Sequence, residues 1–412
     1  MIKNINSNES IMLFDMDVEG HHATYIRHVV LYWIQESKGT DLLIIVTPRF
    51  IDLHKELVNL STEQSQGKVK FISISKEETA NLERNRKRSI LRRAFNEWEI
   101  FCNYAKSLNV KHGLLMYFDY FQIPLIFGKI SPCPVSGIYF RPTLHYDHLF
   151  PSKSNFKEKL KNLIKKKFLK LTLNQSQFNI LFCLDQFSID YIRRLNTKAD
   201  VKYLPDPINI HKVDLQRVNI LREKLKVEND RHIFLLFGSL DKRKGIYKVL
   251  EAIQHLDLQI AKHACLLFVG KLHDSDRESF KNMAAEISKV SPIQIIVNDK
   301  FIPDEDVGLY FDISHTVLIP YQNHVGMSGI VLHAASSGKR VLASNYGLLG
   351  KLVETYNLGK TIDSSSSICI AKGIQEFIEI DNFYSSNIDL RGKFVSEHST
   401  ESFKSILVKS LL

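Results

Sequence analysis

One segment of the chain, residues 316–347, restricts the possible folds more than any other. It starts with an apolar run at 317–319, continues through a glycine-containing loop at 322–326, and has helical periodicity at 328–335 before a second apolar run at 341–344. This order predicts a strand–loop–helix–strand unit of a parallel α/β sheet. The free N–H groups and positive dipole end of such a helix favour a phosphate or diphosphate. An ordinary crossover whose glycines serve only the turns is the alternative interpretation.

The chain is long enough for two domains, since it has 412 residues, of which 44% are hydrophobic and 24% are charged. Its formal net charge of +10 favours anionic partners such as nucleotides, phosphorylated lipids or an acidic membrane face. The five cysteines are dispersed without metal or redox spacing, which predicts reduced thiols in a cytoplasmic protein. The first residues lack the long apolar core of a signal peptide and no apolar run reaches about 18 residues, so we expect neither a signal peptide nor a membrane-spanning helix.

The first half alternates apolar runs with helical periodicity, which predicts a parallel sheet covered by helices on both faces. The predicted strands are residues 11–14, 42–46, 69–74, 113–118, 135–140 and 178–183. His21 and His22 lie in the glycine-containing loop after the first strand, at the edge where open α/β sheets bind ligands. A structural or solvated role for this histidine pair is the alternative.

Residues 152–171 differ from the rest of the chain in their lysine content. Apolar residues recur there at helical spacing and most of the other positions are lysine, which predicts a basic amphipathic helix. Such a helix can lie on an anionic membrane surface with its apolar face among the headgroups. The alternative is a helix packed on its own domain with solvated lysines. Nucleic acid binding is not expected, because the basic face of this helix has no stacking aromatic residues between its lysines.

A proline-bounded segment at 201–207 predicts a stiff connector and a domain boundary. We therefore expect a first domain at 1–203 and a second at 204–382, with a C-terminal helix at 383–412 that packs back on the first domain. The second domain opens with a strand at 233–237, and the loop after it places three cations between two glycines. These cations suit a negatively charged ligand, although solvated lysine-rich turns are also common. The cleft between two α/β domains is the expected binding site.

The second half contains an ordered set of motifs, which are FGSLDKRKG, LLFVGKL, FIPDEDVGLYFDISHTVLIPYQ, GMSGIVLHAASSGKRVLASNYGLLGKLV and FVSEHSTESF. In this order the motifs resemble the C-terminal half of the family 4 glycosyltransferases over residues 203–405. The first half resembles the family only in the pattern of its loops. The resemblance implies an α/β protein of GT-B fold, with two Rossmann-like domains whose parallel sheets face a central cleft. It also implies a retaining, metal-independent transfer of a hexose-type sugar from a nucleotide sugar.

The resemblance assigns residues of this chain to a donor site. Lys244 matches the lysine that binds the donor diphosphate, and Ser239 stands where many members have a phosphate-binding arginine that Lys242 or Arg243 would replace. The backbone of the GMSG loop matches the segment that holds the diphosphate, and His145 matches the histidine loop near the transferred sugar. The implied donor-binding set is Gly20, His21, Gly238, Ser239, Arg243, Lys244, Phe301, Ile302, Gly326, Met327, Ser328, Gly329 and His333, and the implied catalytic residues are His145 and Lys244.

The chain departs from the family pattern at one pair of positions. Many members carry two glutamates across this loop and helix, and the matching residues here are Val325 and His333. The second glutamate usually holds the ribose, so the resemblance makes His333 a candidate for that role. No paired-aspartate metal motif is placed in the donor site, so neither a metal nor a cofactor beyond the nucleotide-sugar substrate is implied.

The expected function is a cytoplasmic glycosyltransferase, peripheral on the inner face of the membrane, that acts on a glycan or lipid-linked acceptor. One alternative is a catalytically degenerate GT-B protein that binds a nucleotide or glycan as a partner subunit, which the missing glutamates motivate. Another is a sugar-nucleotide epimerase, against which the lack of an acidic pair in the donor loop argues. Binding without turnover would indicate the partner subunit, and product analysis separates the two enzymes.

Overall fold

The computed structural model describes residues 9–18, 22–36, 39–146, 156–208, 214–379 and 388–412. The chain divides into two compact units. The first consists of Met1–Pro207 together with Thr400–Leu412, and the second of Ile208–Ser399. Each unit is an α/β structure built on its own parallel sheet.

The described part of the first unit contains a seven-stranded parallel sheet of order β3-β2-β1-β4-β5-β6-β7. Its strands are β1 Glu9–Phe14, β2 Thr40–Val46, β3 Val69–Ser73, β4 His112–Leu115, β5 Val135–Tyr139, β6 Phe178–Cys183 and β7 Asp200–Tyr203. Its helices are α1 His22–Glu36, α2 Pro48–Leu53, α3 Lys55–Gln64, α4 Lys76–Arg88, α5 Ile90–Ser107, α6 Gln122–Phe127, α7 Phe156–Leu173 and α8 Ile189–Arg193. The inner strands β1 and β2 carry continuous apolar runs because hydrophobic cores cover both faces of the sheet.

The described part of the second unit contains a six-stranded parallel sheet of order β10-β9-β8-β11-β12-β13. Its strands are β8 His232–Phe237, β9 Ala264–Val269, β10 Gln294–Asn298, β11 Thr316–Ile319, β12 Arg340–Ser344 and β13 Gly359–Ile362. Its helices are α9 Leu215–Lys224, α10 Ile246–Ala252, α11 Leu258–Ala261, α12 Arg277–Val290, α13 Asp304–Ile313, α14 Gly329–Ser336, α15 Gly347–Thr355, α16 Ser367–Glu379 and α17 Ile388–Glu397, and α18 Thr400–Leu411 follows in the first unit.

The C-terminal segment is divided between the units, whereas the sequence placed all of 383–412 on the first. In the second unit, the ring of Phe394 in α17 lies 4.8 Å from that of Tyr356, whose hydroxyl donates to Glu397 at 2.6 Å. In the first unit, Phe403 and Leu407 of α18 are fully buried in the core that α1 also enters. The apolar residues on either side of Thr400 therefore belong to different cores.

The predicted connector at 201–207 is wrong in its first part, because Asp200–Tyr203 forms strand β7 and pairs with β6. The remainder, residues 204–207, has no regular secondary structure. Among the helices in the described ranges, none combines the length and apolar content that crossing a membrane requires.

Candidate functional site

The chain order of the strands in the second sheet reverses between β8 and β11. β8 is followed in the chain by β9 on one side, and its other neighbour β11 is followed by β12 on the far side, so the crossovers that leave β8 and β11 run in opposite directions. The loops that leave two such strands at their carboxyl ends diverge and leave a crevice between them. The loop after β8 carries Lys244, and the loop after β11 leads through Tyr321 to the start of α14. The second unit therefore has the topology of a ligand site at the segment that the sequence singled out.

Lys244 is a buried cation within this crevice. It ends a short 3-10 turn, in which its backbone N–H donates to the Asp241 carboxylate at 3.0 Å. The residue is only 8% exposed, and its Nζ donates to the hydroxyl of Tyr321 and lies 4.1 Å from the centre of that ring. Among the described residues, no carboxylate lies within ion-pair distance of its ammonium group. A buried ammonium with only a neutral partner favours a bound anion, because burying an uncompensated charge is costly.

The hydroxyl of Tyr321 connects Lys244 to the start of helix α14. It lies 3.2 Å from Oγ of Ser328, which caps α14 by accepting a hydrogen bond from the N–H of Ile330 at 3.3 Å. A side chain added at Gly329 would find no atom within 4 Å, so the space at this helix start is open. Backbone N–H groups and the positive end of the helix dipole thus lie close to the buried ammonium.

Glycine is required where the lysine turn meets the loop after β11. Gly245 has φ +78°, and a Cβ there would lie 2.3 Å from the carbonyl oxygen of Pro320. The carbonyl of Arg243 accepts a hydrogen bond from the backbone N–H of Gln322 at 2.8 Å. The backbones of the two loops are therefore in direct contact beside Lys244.

The other donor residues predicted in the second unit are more dispersed. Gly238 belongs to the site, since a Cβ there would lie 3.4 Å from Nζ of Lys244. Ser239 is exposed, and Nη2 of the half-exposed Arg243 lies 3.6 Å from Asp241. Gly326 is half-buried, and the carbonyl of Met327 lies 3.2 Å from Nε2 of His324.

Three further predicted residues lie on α14 or after β10. The ring of His333 packs at 5.2 Å from Phe311 on the neighbouring helix α13. Phe301 is 80% exposed, Ile302 is half-buried, and both follow the edge strand β10. The structure therefore brings Gly238, Lys244, Ser328 and Gly329 together, and adds Tyr321, which the sequence analysis did not assign to the site.

Of the donor-binding and catalytic residues predicted in the first unit, the structure describes only His145. Gly20 and His21 lie outside the described residues. His145 is only 3% exposed, and its Nε2 lies 2.9 Å from Oδ2 of Asp185 without hydrogen-bond alignment. Both ring nitrogens of His145 are therefore buried and have no hydrogen-bond partner among the described residues. In this structure His145 is not presented to a ligand as a sugar-contacting histidine would be.

A charged network lies at the carboxyl edge of the first sheet instead. Nδ1 of His22 lies 2.7 Å from the buried carboxylate of Asp15, directly after β1, and its ring stacks on Tyr117 after β4. Arg93 of α5 donates to Asp17 at 2.7 Å and to Glu97 at 2.5 Å. β1 and β4 flank the chain-order reversal of this sheet, so the network occupies the equivalent place in the first unit.

Burial controls the protonation of this network. Burial raises the pKa of Asp15 and, against the attraction of Arg93, raises the pKa of Glu97 to about 7. Burial alone would lower the pKa of His22, but its hydrogen bond to Asp15 and the charge of that carboxylate raise it above the usual value. Within the described residues, no cluster of three or more histidine, cysteine or acidic residues could hold a metal ion.

The second unit is similar to a known protein family. The model of the family "Glycosyl transferases group 1" matches residues 218–389. The lipopolysaccharide 1,2-N-acetylglucosaminetransferase of Salmonella typhimurium is 24% identical over 155 residues, which cover 36% of this chain and 40% of that enzyme. The alignment thus spans less than half the length of the curated relative.

Solved structures resemble the chain over nearly its whole length. Sucrose-phosphate synthase from Thermosynechococcus elongatus has a TM-score of 0.64 and 15% identity, and covers 98% of both chains. HepE from Anabaena, solved with UDP and glucose, has a TM-score of 0.63 and 14% identity, and the match covers 98% of this chain and 99% of HepE. WaaG, a glycosyltransferase involved in lipopolysaccharide biosynthesis, has a TM-score of 0.60 and 14% identity, and the match covers 98% of both chains. These similarities confirm the predicted GT-B fold, an α/β architecture with two parallel sheets.

Proposed function

We propose that this chain, whose residues 218–389 match the model of the family "Glycosyl transferases group 1", is a member of that family and transfers a hexose-type sugar from a nucleotide sugar to a glycan or lipid-linked acceptor. The observation that carries the proposal is the buried ammonium of Lys244, which has no carboxylate partner among the described residues and is linked through Tyr321 to the N-terminal cap of α14. A cation and a helix N-terminus that converge on an open space suit the diphosphate of such a donor.

The proposed chemistry is electrostatic stabilisation of the leaving group. As the bond between the anomeric carbon and the donor diphosphate breaks, negative charge grows on the diphosphate. Lys244 and the N–H groups at Gly326–Gly329 would stabilise that charge from positions set before the reaction, so little reorganisation is needed. No step of this proposal requires a metal, and retention of configuration is the expected stereochemical outcome.

Residues around the crevice have proposed roles in holding the rest of the donor. Phe301, which is 80% exposed after β10, offers a free ring face to the base. His333, whose ring is already oriented by Phe311, is the proposed partner of the ribose. Arg243 would reach the outer phosphate, since its guanidinium is half-exposed.

The acceptor is proposed to bind at the charged network of the first unit. His22 is held by Asp15 through one ring nitrogen and makes no second hydrogen bond to a described residue, so its other nitrogen is suited to contact a sugar hydroxyl. We also propose that Gly20 and His21, which precede His22 in the sequence, contact the substrates. We also propose a positioning role for His145, which is buried beside Asp185.

The relatives support the proposed donor and acceptor classes. HepE was solved with UDP and glucose, which makes UDP-sugars the first donors to test. The Salmonella relative and WaaG are both named for lipopolysaccharide assembly, which favours a lipopolysaccharide-type acceptor here.

The test is consumption of the donor. Purified protein is incubated with UDP-, GDP-, ADP- and dTDP-sugars with and without a lipopolysaccharide acceptor, and release of the nucleoside diphosphate is measured. We expect acceptor-dependent release from one donor, UDP-linked, and a product whose anomeric configuration by NMR matches that of the donor. Binding of a donor without transfer would support the partner-subunit alternative, and an isomerised nucleotide sugar would support an epimerase.

The exposed face of α7 supports a peripheral membrane location. Leu160, Leu163 and Ile164 are 48%, 63% and 48% exposed, while Leu169 and Leu173 on the other side of the helix are buried in the core of the unit. Lysines at 157, 159, 161, 165, 166, 167 and 170 surround the exposed apolar residues. The helix therefore packs on its own unit and also presents a basic apolar surface, which suits an anionic membrane.

Reversing the charge of this surface is expected to weaken membrane binding. Each lysine near an anionic surface contributes about 1 kcal/mol, so changing Lys165, Lys166 and Lys167 to Glu should lower partitioning onto phosphatidylglycerol vesicles by roughly 10²-fold or more. Co-sedimentation with vesicles measures the effect. The matched control changes the exposed Lys224, Lys262 and Lys289 to Glu, which alters the net charge equally but leaves α7 intact. Equal loss in both variants would remove α7 from the membrane account.

A further inference from the structure

An open groove of about 770 Å³ lies in the first unit between the start of α5 and the end of α6. Its apolar wall consists of Leu91, Phe95, Trp98 and Phe127. Leu91 and Phe127 are 45% and 66% exposed, and Trp98 is buried behind them. The volume lies within the range of small-molecule clefts, and apolar side chains at its mouth are left facing solvent.

Polar groups of the groove are incompletely satisfied. Nδ2 of Asn96 is buried and has no hydrogen-bond partner among the described residues. Leaving such a donor unpaired is unfavourable, and a ligand oxygen that accepts its hydrogen bond would remove this cost. Arg92 also lines the groove and makes no ion pair within the described ranges, whereas Lys129 on the opposite side pairs with Glu99. The groove therefore offers an amide donor and an unpaired cation above an apolar wall.

The groove adjoins the basic surface of α7. The ring of Phe127 at the groove mouth lies 6.5 Å from that of Phe168 in α7. Thr172 of α7 donates from Oγ1 to the carbonyl of Gln122 in α6 at 3.1 Å, so the two helices are packed together. Ile90 and Ile130, each next in sequence to a residue that lines the groove, are 70% and 84% exposed. The exposed apolar residues thus extend from α7 across the groove and are accompanied by positive charge.

We propose that this groove binds the acyl chain of an anionic lipid drawn from the membrane surface on which α7 lies. The chain would cover the wall formed by Leu91, Phe95, Trp98 and Phe127, and the anionic head would meet Arg92. An ester or head-group oxygen would accept the hydrogen bond of Asn96. A lipid would cover the apolar wall and also meet Arg92 and Asn96, whereas a soluble anion would leave the apolar wall exposed. The inference rests on the proposed function in one respect, which is that the protein works at a membrane.

The test uses the fluorescence of Trp98. The chain has two tryptophans, so Trp33→Phe leaves Trp98 as the only one. The probe is undecanoate with bromine on its terminal carbon, a heavy-atom quencher that acts at contact distance and is added in monomeric form. We expect saturable quenching that unbrominated undecanoate reverses and that inorganic phosphate or free bromide does not produce. The Trp98→Phe protein should not be quenched, because Trp33 is buried in the core on the other face of the sheet.

A variant at the groove mouth makes the result specific. Phe127→Glu places a charge where the chain would enter, and should raise the concentration for half-maximal quenching at least tenfold. Leu53→Glu, at a position that is 56% exposed in α2, adds the same charge outside the groove and should leave quenching unchanged. Both positions are exposed, so both variants are expected to fold.

Several results would overturn the proposal. These are no saturable quenching, quenching by phosphate or bromide alone, equal quenching in Phe127→Glu, or a dimer by sedimentation velocity that Phe127→Glu dissociates. The last result would assign the groove to a second copy of the chain. The outcome is independent of the enzyme proposal, because loss of sugar transfer with intact quenching contradicts only the enzyme. Absence of quenching with normal vesicle binding contradicts only the lipid groove.

Discussion

Replacing Lys244 with alanine is expected to lower kcat/KM for the nucleotide sugar by roughly 10²–10³-fold, the usual effect of removing one preorganised donor from a developing anion. The ammonium of Lys244 is buried and donates to the hydroxyl of Tyr321, a neutral group that cannot replace the lost charge. The assay is release of the nucleoside diphosphate under initial-rate conditions. The loss should appear in kcat as well as in kcat/KM, because the diphosphate gains charge in the transition state.

The matched control is Lys242→Ala in the same turn. The side chain of Lys242 is 76% exposed, and its Nζ lies 3.5 Å from Asp276 and 5.9 Å from the ring of Tyr247. Because this side chain is exposed to solvent and Lys244 is buried, replacing Lys242 should change kcat/KM by less than about threefold, as expected for an exposed ion pair. An equal loss in both variants would mean that general positive charge, and not the buried ammonium, assists the reaction.

Replacing Gly270 with alanine is expected to destabilise the second unit by about 4 kcal/mol, which is about 10 °C in Tm. Gly270 follows β9 with φ +129°, and a Cβ there would lie 1.9 Å from the carbonyl oxygen of Gly238. Both the left-handed backbone and the clash with another backbone oppose the side chain, and neither can be relieved by a rotamer change. Chemical denaturation measures the free energy of unfolding.

Gly392→Ala in α17 is the control for this prediction. Its φ is not in the left-handed region, and a Cβ at this position would meet no atom within 4 Å. Alanine there should be neutral or stabilise by up to about 1 kcal/mol, since it favours the helix. If Gly270→Ala were as stable as Gly392→Ala, the close crossing of the loops after β8 and β9 would be wrong.

The sheets could be predicted from sequence where a strand is an uninterrupted apolar run. β8 and β9 are such runs, and both are fully covered by core residues. β13 could not be predicted, because its four residues include a glycine, a lysine and a threonine. It is a strand because Gly359–Ile362 pairs in register with β12, so its neighbour and not its own pattern defines it. β7 could not be predicted either, because its residues Asp200–Tyr203 form no apolar run and it is a strand through its pairing with β6.

The candidate site was predictable in its motif residues and not in its contacts. Lys244 and the GMSG loop are recognisable along the chain, whereas the partner of Lys244 is Tyr321, 77 residues away. The only sequence signal for Tyr321 was its place directly after β11 and Pro320. His145 lies in a loop after β5, and only the packing of Asp185 against it shows that the ring is buried. Side-chain burial in loops depends on contacts between distant segments, which sequence patterns do not contain.

A thermal-shift titration with UDP tests whether the buried Lys244 holds the donor diphosphate. A ligand that binds only the folded state stabilises it by about 2.7 kcal/mol at a hundred times its Kd. We predict a concentration-dependent rise in Tm for the unmodified protein and for Lys242→Ala, and no rise for Lys244→Ala. Equal shifts in all three proteins would contradict the account, because the diphosphate would then be held elsewhere.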